Sequence, residues 1–297
     1  VVGLMLSTLI MSAALGTGDT IDYSMTTDVY DTYGQVDEQV VASQTVDPDL
    51  GVNQTDMPEA SLAVVENGLA GSDDVDGIMP ELRVVVPALN AASQLAEPVV
   101  TLVGLDPDRV GDFGGIEATN GDDIDLAGIP AGSVVIGEHA AEELTAVAGD
   151  VITVFVNNQP HSLTVAAVAA DTYLTGGGRD FNSGLEGVGM VMPLAQAQEL
   201  TGKTGLISAV LISNTGGVRD SLDLSDGVVD ALRPSLEGTG LGVMATKQEW
   251  VELGRDFGQI FTGLFLVLGL FSIAAGILLI VLIFTMLAAE RRAEMGM

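Results

Sequence analysis

The two histidines of this sequence are the first candidates for metal binding. His139 and Glu142 are three residues apart, with Glu143 alongside, so one helix face would carry an imidazole and a carboxylate able to hold a metal weakly. We favour the alternative of a solvated helix start, where acidic side chains suit the helix dipole. His161 follows Pro160 in a predicted hairpin turn and is interpreted as an exposed loop residue. The chain has two histidines and no cysteine, so the usual ligands of a structural zinc site cannot be assembled.

Acidic clusters provide a second candidate chemistry, the binding of calcium. The stretch SDDVDG at residues 72–77 imitates the start of an EF-hand loop, but its first ligand position is Ser72 and its twelfth is Arg83. A cationic side chain at a ligand position excludes an EF-hand. Looser cation binding stays open as an alternative to solvated acidic loops; its candidate residues are Asp73, Asp74, Asp76, Asp122, Asp123 and Asp125.

The glycines of TGGGRD at residues 175–180 resemble a phosphate-binding loop. No lysine follows them and no helix is predicted to start there, so the stretch lacks the context of a nucleotide site. We predict a flexible hairpin or loop tip instead. The sequence also contains no Gly-x-Ser-x-Gly nucleophile motif, and we predict that this chain is not an enzyme and binds no cofactor itself.

Two apolar segments frame the chain. Residues 261–289 contain no charged residue, histidine or proline, and at about 1.5 Å per residue they exceed the roughly 30 Å of a bilayer core. We predict a transmembrane helix there. Residues 1–16 are also apolar but too short to span, so we predict that the sequence is a fragment that begins inside a first transmembrane helix.

Charge predicts the orientation of these helices. The charged side chains after residue 259 are Glu290, Arg291, Arg292 and Glu294, so the whole net charge of −31 lies before them. Short arginine-bearing flanks stay in the cytoplasm, which places residues 17–259 outside the cell membrane. An acidic surface of this kind repels nucleic acid. The small number of lysines, Lys203 and Lys247, fits either a salt-adapted protein or an ordinary acidic extracellular surface.

The intervening sequence predicts an α+β extracytoplasmic domain between two transmembrane helices that extend outward as amphipathic stalks. Apolar residues spaced by three and four predict stalk helices at residues 17–45 and 246–260, which leaves residues 46–245 for a core domain, with two lobes as one option. Runs of β-branched residues predict strands at residues 82–87, 98–105, 133–137, 151–156, 161–170, 188–193, 206–213 and 241–246. Helical patterns occupy residues 138–146, 194–201 and 217–236, and the acidic, glycine-rich residues 111–125 predict a loop.

Small residues in the second stalk and span suggest surfaces for helix packing. Gly254 and Gly258 recur at a spacing of four, as small residues do where helices approach closely. Gly269, Ser272 and Gly276 share one face of the predicted transmembrane helix, and we expect that face to pack against a neighbouring helix. Ordinary glycine content of a membrane helix is the alternative.

The end of the chain carries the most specific pattern. After the second apolar segment come Glu290, Arg291, Arg292, Glu294 and Gly296, which resemble the cytoplasmic Glu-Arg motif, followed by Glu and Gly, of the FtsX-like or MacB-type permeases of ABC transporters. The stretches VVTLVGLDPD and SVVIGEHAAEELTAVAGDVITV resemble the extracytoplasmic core domain of that family.

This resemblance implies a multi-pass permease subunit that dimerises with a second copy or half and contacts membrane lipid. It also implies a cytoplasmic ATP-binding subunit, which would bind the ATP and magnesium, and a contact with it that follows the second span. The cargo would be a lipid, lipoprotein, peptide or drug, or the domain would regulate an outer partner protein. A two-span receptor with an outer sensing domain and a membrane-anchored structural domain are the alternative interpretations.

Overall fold

The computed structural model describes residues 2–43, 55–180 and 185–294. A long helix stands at each end of this described chain, and strands dominate between them. The helices are α1 (Val2–Tyr33), α2 (Ser61–Gly68), α3 (Glu138–Leu144), α4 (Leu194–Thr201), α5 (Gly217–Asp220), α6 (Ser225–Leu236) and α7 (Thr246–Glu294). The strands are β1 (Glu38–Ala42), β2 (Met57–Pro58), β3 (Val75–Asn90), β4 (Leu95–Leu105), β5 (Ser133–Gly137), β6 (Val151–Val156), β7 (Gln159–Ala169), β8 (Arg179–Asp180), β9 (Leu185–Glu186), β10 (Gly189–Pro193), β11 (Leu206–Ile207), β12 (Ala209–Asn214) and β13 (Leu241–Met244).

The main sheet is mixed and partly closed. Its strand order is β13-β1-β12-β3-β4-β10-β5-β7-β6, and an additional pairing joins β6 to β3. The β4–β10 and β5–β7 pairs are parallel, and the other pairs in this order are antiparallel. A closed ring is therefore formed by β3, β4, β10, β5, β7 and β6. Strands β12, β1 and β13 extend from β3 as an open arm.

An irregularity at Pro87 explains how β3 serves both parts of the sheet. The β3–β4 register shifts between Val86 and Ala88, where Pro87 lacks the backbone N–H needed for a ladder hydrogen bond. Bulges of this kind bend a strand. Before the shift β3 pairs with β12, and after it Ala88 and Leu89 pair with Val154 and Thr153 of β6.

The hydrophobic core has one cluster on each face of the sheet. Val40, Leu102 and Ile136 belong to one cluster, whereas their neighbours Val41, Val103 and Val135 belong to the other, as expected when successive side chains alternate across a sheet. Residues from α2, α3, α4 and α6 cover the first cluster. Residues 110–129 cover the second, with Phe113, Ile116 and Leu126 packed inward while most of the predicted acidic loop is exposed.

The chain forms two compact units. One comprises residues Val1–Thr27 and Val251–Met297, and the other comprises Asp28–Trp250. All eight predicted strands overlap observed ones, although residues 206–213 form two strands, β11 and β12, in different sheets, and the helix at residues 194–201 is α4. The helix predicted at residues 138–146 stops at Leu144, because Thr145 adopts a left-handed conformation. The helix predicted at residues 217–236 is interrupted by a 3-10 turn.

The first predicted stalk requires a correction. The helix ends at Tyr33 rather than residue 45, because Gly34 adopts a left-handed conformation that terminates it. Val36 and Val40 continue the helical spacing, yet Val40 lies in β1 and both side chains are fully buried. His161 is also misplaced by the prediction, since it lies within β7; the hairpin turn is formed earlier, by Asn157 and Asn158, both with positive φ.

The membrane segments are described in part. Within α7, residues Thr246–Ala288 are long and apolar enough to cross a membrane, and this is the one such helix among the described residues. The second predicted stalk and span, residues 246–289, belong to this uninterrupted helix. The apolar residues of the first predicted span from Val2 onward lie in α1.

Candidate functional site at the roots of the two long helices

The long helices join the Asp28–Trp250 unit at two short segments. We call residues 28–33 the α1 root and residues 245–250 the α7 root. Val29 and Tyr30 of the α1 root are buried, and so are Thr246 and Lys247 of the α7 root. Both segments belong to the folded unit, Asp28–Trp250.

Lys247 connects the α7 root to the chain that follows the α1 root. Its side chain is fully buried and its Nζ lies 2.5 Å from Asp37 Oδ1. Nζ also donates to the backbone oxygens of Gly34, at 2.9 Å, and Val218, at 3.0 Å, and to Ser221 Oγ, at 3.1 Å. An ammonium group has three protons, so these neighbours satisfy it without water.

Asp37 is held equally firmly. Its Oδ2 accepts a hydrogen bond from the Asn214 amide at 2.8 Å, and its Oδ1 accepts one from Ser221 Oγ at 2.8 Å. Its backbone N–H donates to Ile212 of β12, and its carbonyl accepts from the Lys247 amide. Burial raises the pKa of the Asp37 carboxyl, and the nearby Lys247 ammonium opposes that rise.

A second layer of the network contains Glu38, which is also fully buried. Its Oε1 accepts from Asn214 Nδ2 at 2.8 Å. Neither Glu38 Oε2 nor Asn214 Oδ1 has a hydrogen-bond partner among the described residues. Burial raises the pKa of Glu38 to about 7, although the polar groups of Ser225 and Asn214 lower it and the Asp37 charge raises it further.

A second polar cluster contacts Tyr33, the last residue of the α1 root. The Tyr33 and Tyr173 rings stack with centroids 5.3 Å apart, and the Arg83 guanidinium lies 4.1 Å from the Tyr173 centroid. Arg83 Nη2 is 2.6 Å from Glu81 Oε1, and Tyr173 Oη donates to Glu81 Oε2 at 3.0 Å. Burial raises the pKa of the Tyr173 hydroxyl well above its usual value, so the hydroxyl remains a donor.

The glycine-rich stretch at residues 175–180 packs against the α1 root. The predicted hairpin exists as β8 and β9, but the glycines form its buried base rather than an exposed tip. A Cβ on Gly178 would collide with Thr32 Cγ2, and one on Gly177 would collide with Asp171 Oδ1. The Tyr173 amide donates to the Thr32 carbonyl at 2.7 Å, and Arg179 Nη1 is 2.7 Å from Asp28 Oδ2. The motif therefore serves close packing, because side chains would not fit there.

His139 lies in an acidic pocket of about 340 Å³ beside the α1 root. Its Nδ1 is 3.8 Å from Glu186 Oε2, and its backbone amide donates to Asp171 Oδ2 at 2.8 Å. Both Glu142 and Glu143 are exposed, and of the two Glu142 lines this pocket. No group of three or more His, Asp or Glu side chains in residues 2–43, 55–180 and 185–294 is arranged to hold a metal ion. In the second acidic loop, Asp125 instead caps the 3-10 turn at Leu126–Gly128.

The residues predicted for helix packing lie in the unit formed by Val1–Thr27 and Val251–Met297, which contains most of α1 and α7. A Cβ on Gly254 would lie 3.3 Å from Met25 Cβ, and one on Gly258 would lie 2.9 Å from Asp22 Cβ, so both glycines face α1. A Cβ on Gly276 would meet nothing within 4 Å. Ser272 Oγ donates to the Leu268 carbonyl of its own helix. Gly269, the third residue of the predicted packing face, also lies in α7.

The residues predicted for coupling and topology are at the end of α7. Glu290, Arg291, Arg292 and Glu294 form its last turn, and Gly296 is outside the described residues. The Asp37–Lys247 network was not predicted from the sequence. The one available signal was that Lys247 is one of two lysines in a strongly acidic chain.

This arrangement suits mechanical attachment better than catalysis. Two of its buried charged pairs, Lys247–Asp37 and Arg83–Glu81, are held by fixed backbone or side-chain partners. Paired buried charges of this kind have strict geometric requirements.

Comparison with known proteins identifies the family. The profile of the MacB-like periplasmic core domain matches residues 1–221. Among solved structures, the periplasmic region of MacB from Actinobacillus actinomycetemcomitans aligns with a TM-score of 0.46 at 13% identity, over 72% of this chain and 89% of that one. The extracellular domain of the noncanonic ABC-type transporter YknZ from Gram-positive bacteria aligns with a TM-score of 0.44 at 19% identity, over 70% of this chain and 99% of that one. No curated protein matches. By its family match, the chain belongs to the MacB-like periplasmic core domain family of ABC transporter permeases, membrane proteins with an extracytoplasmic domain.

Proposed function

We propose that this chain is part of a permease subunit in which ATP hydrolysis by a separate ATP-binding subunit moves the extracytoplasmic domain. The observation that carries this proposal is the continuity of α7 from Thr246 to Glu294. One helix thus contains the buried α7 root, the apolar segment and the charged terminal turn. At about 1.5 Å per residue it is roughly 70 Å long, and a continuous helix transmits displacement along its axis.

The chemistry of the apolar segment supports mechanical coupling over conduction. Residues 261–289 contain no ionisable side chain that would line a polar path through a membrane. The Lys247 network instead binds the first residues of α7 to the folded unit. The proposed cargo is a lipid, lipoprotein, peptide or drug, and transport assays with each class distinguish among them.

The proposed topology is multi-pass, with residues 17–259 outside and Glu290 onward in the cytoplasm. Arg291 and Arg292 directly after the apolar segment support this orientation. In this arrangement the chain pairs with a second permease copy or half and with membrane lipid, and the terminal turn leads to the contact with the ATP-binding subunit.

The proposal can be tested on the full-length gene product in lipid nanodiscs, with a candidate ATP-binding subunit. We expect copurification and a stimulated ATPase rate. Replacing both Arg291 and Arg292 with glutamate should abolish the stimulation or invert the topology while the outer domain stays folded. Arg233→Glu, at an exposed arginine of the folded unit, provides the control for an arginine-to-glutamate charge reversal.

Each alternative predicts a different result. A two-span receptor would not bind the ATP-binding subunit and would continue into a signalling module. A membrane-anchored structural domain would leave the ATPase rate unchanged in every variant. Unchanged topology and unchanged stimulation in the Arg291/Arg292 double variant would contradict the assigned role of the terminal turn.

A further inference from the structure

The network at the helix roots contains more negative than positive side chains. Asp37, Glu38 and Lys247 are all fully buried, which places two carboxyl groups with one ammonium group. The contacts described for Lys247 Nζ are with Asp37, Ser221 and the backbone oxygens of Gly34 and Val218. The positive charge is therefore directed to Asp37, and Glu38 would be an extra buried anion if it were ionised.

The groups that face Glu38 cannot balance such a charge. On its own strand the neighbouring charge is Asp37, which repels it, and from α7 the charge is Lys247, which already pairs with Asp37. From β12 it meets the Asn214 amide, and from α6 it meets the Ser225 hydroxyl, both uncharged. A buried ion without a partner carries a desolvation cost of several kcal/mol, and such groups are commonly neutral instead.

The hydrogen bonding around Glu38 favours the same protonation state. Glu38 Oε2 and Asn214 Oδ1 are both acceptors without a partner among the described residues. An ionised carboxylate can only accept hydrogen bonds, whereas a neutral carboxyl group supplies one O–H donor. A proton on Glu38 would therefore provide the kind of group that this part of the network lacks.

We propose that the folded domain holds Glu38 in its protonated form, and that loss of this proton loosens the attachment of both helix roots. Asn214 connects the two effects, because its side chain binds Glu38 while its backbone amide binds Asp37, the partner of Lys247. The roots would thus respond to the pH around the domain. This inference concerns the folded unit and does not depend on pairing with an ATP-binding subunit.

The direction of the pH effect follows from linkage. The pKa of Glu38 is raised from 4.5 to about 7, so the stabilisation is complete below about pH 4.5 and is lost as the pH rises to about 7, with little change above. The equilibrium constant for opening should rise by about tenfold for each pH unit in this window, since one pKa unit corresponds to a factor of ten.

Hydrogen–deuterium exchange of the full chain in nanodiscs tests this proposal. The reporters are the backbone amides of Asp37, Asn214 and Lys247, each hydrogen-bonded within the network. After correction for intrinsic exchange, wild-type opening should increase by about fortyfold between about pH 5 and pH 7, because the slope falls below tenfold per unit close to each pKa. Glu38→Gln, which keeps a neutral side chain, should remove this increase, whereas the exposed control Glu143→Gln should retain it.

A Glu38→Gln protein with the same pH dependence as wild type would overturn the proposal. If that variant does not fold, carbon-13 NMR of wild-type chain labelled at glutamate carboxyl groups decides the question. A resonance that titrates near pH 7 and is missing from Glu38→Asp supports the proposal. Titration of every glutamate near its usual pKa of about 4.3 overturns it.

Discussion

At the residue scale, the fold depends on a small number of buried charges in a chain that is otherwise strongly acidic on its surface. Lys247 is fully buried against Asp37, whereas Lys203, the other lysine, is partly exposed and pairs with Asp56. Exposed ion pairs contribute about 0–1 kcal/mol. Breaking a buried pair by removing one partner costs about 3–5 kcal/mol, because an uncompensated charge remains.

We therefore predict that Lys247→Met lowers the thermal unfolding midpoint of the domain by roughly 10 °C. The fluorescence of Trp250, the one tryptophan of the chain, reports on the α7 root directly. Lys203→Met is the matched control and should shift the midpoint by less than about 4 °C. Adding Asp37→Asn to Lys247→Met should recover much of the loss; a double variant as unstable as the single one would contradict the importance of the unpaired charge.

Tyr173 provides a second residue-scale prediction. Tyr173→Phe keeps the ring that stacks on Tyr33 and Arg83 but removes the hydroxyl that donates to buried Glu81. The unsatisfied carboxylate oxygen should cost about 1–3 kcal/mol, measured by chemical denaturation in detergent. Tyr23→Phe, at a side chain that is 68% exposed, should be neutral. Equal stability of the two variants would show that the hydroxyl contributes nothing.

At the element scale, the packing of α1 against α7 depends on glycine. Gly254 and Gly258 place bare backbone against Met25 and Asp22, and a side chain at Gly258 would overlap Asp22. Close approach at small residues favours van der Waals contact between helices. The space around Gly276, in contrast, is open within 4 Å, so the two glycines make a matched pair for experiment.

We predict that Gly258→Leu separates the two helices, whereas Gly276→Leu does not. Because the chain has no cysteine, spin labels can be attached at Tyr23→Cys and Phe257→Cys, both at exposed side chains. The mean distance between labels, measured by pulsed electron resonance, should increase by several Å in Gly258→Leu, about the size of the added side chain. An unchanged distance would mean that the helices do not rely on this contact.

At the scale of the whole molecule, the folded unit and the apolar segment of α7 require different solvents. The Asp28–Trp250 unit encloses two hydrophobic clusters, whereas most large apolar side chains from Leu264 to Leu287 are exposed. Exposure of so much contiguous apolar surface is expected for a segment that contacts lipid. The acidic surface around the core correspondingly suits water.

We predict that the proposed topology is visible by cysteine labelling of intact cells. A membrane-impermeant maleimide should modify Val147→Cys, whose position is 63% exposed in the folded unit. Ala293→Cys, in the terminal turn of α7, should react only after permeabilisation. The reverse pattern would place the folded unit in the cytoplasm and refute the orientation inferred from Arg291 and Arg292.

The sequence by itself determined those helices and strands that depend on the preferences of neighbouring residues. Strands such as β5 and β6 were predicted to the residue, because runs of β-branched side chains favour extended backbone in almost any context. The apolar segment of α7 was equally evident from composition. The family resemblance, which was based on short motifs, is confirmed by the match over residues 1–221.

Tertiary structure alone decided which polar residues are brought together. Asp37 and Lys247 are distant in sequence, and only the pairing of β1 with β12 and β13 brings them into contact. The same long-range pairing places Val40 in strand β1 and buries both Val36 and Val40, although their spacing continues a helical pattern. Periodicity in a short window cannot report a sheet partner. The buried base of the glycine-rich hairpin likewise depends on the α1 root against which it packs. Sequence patterns report on preferences of adjacent residues, whereas burial and charge pairing depend on contacts that exist only after the chain has folded.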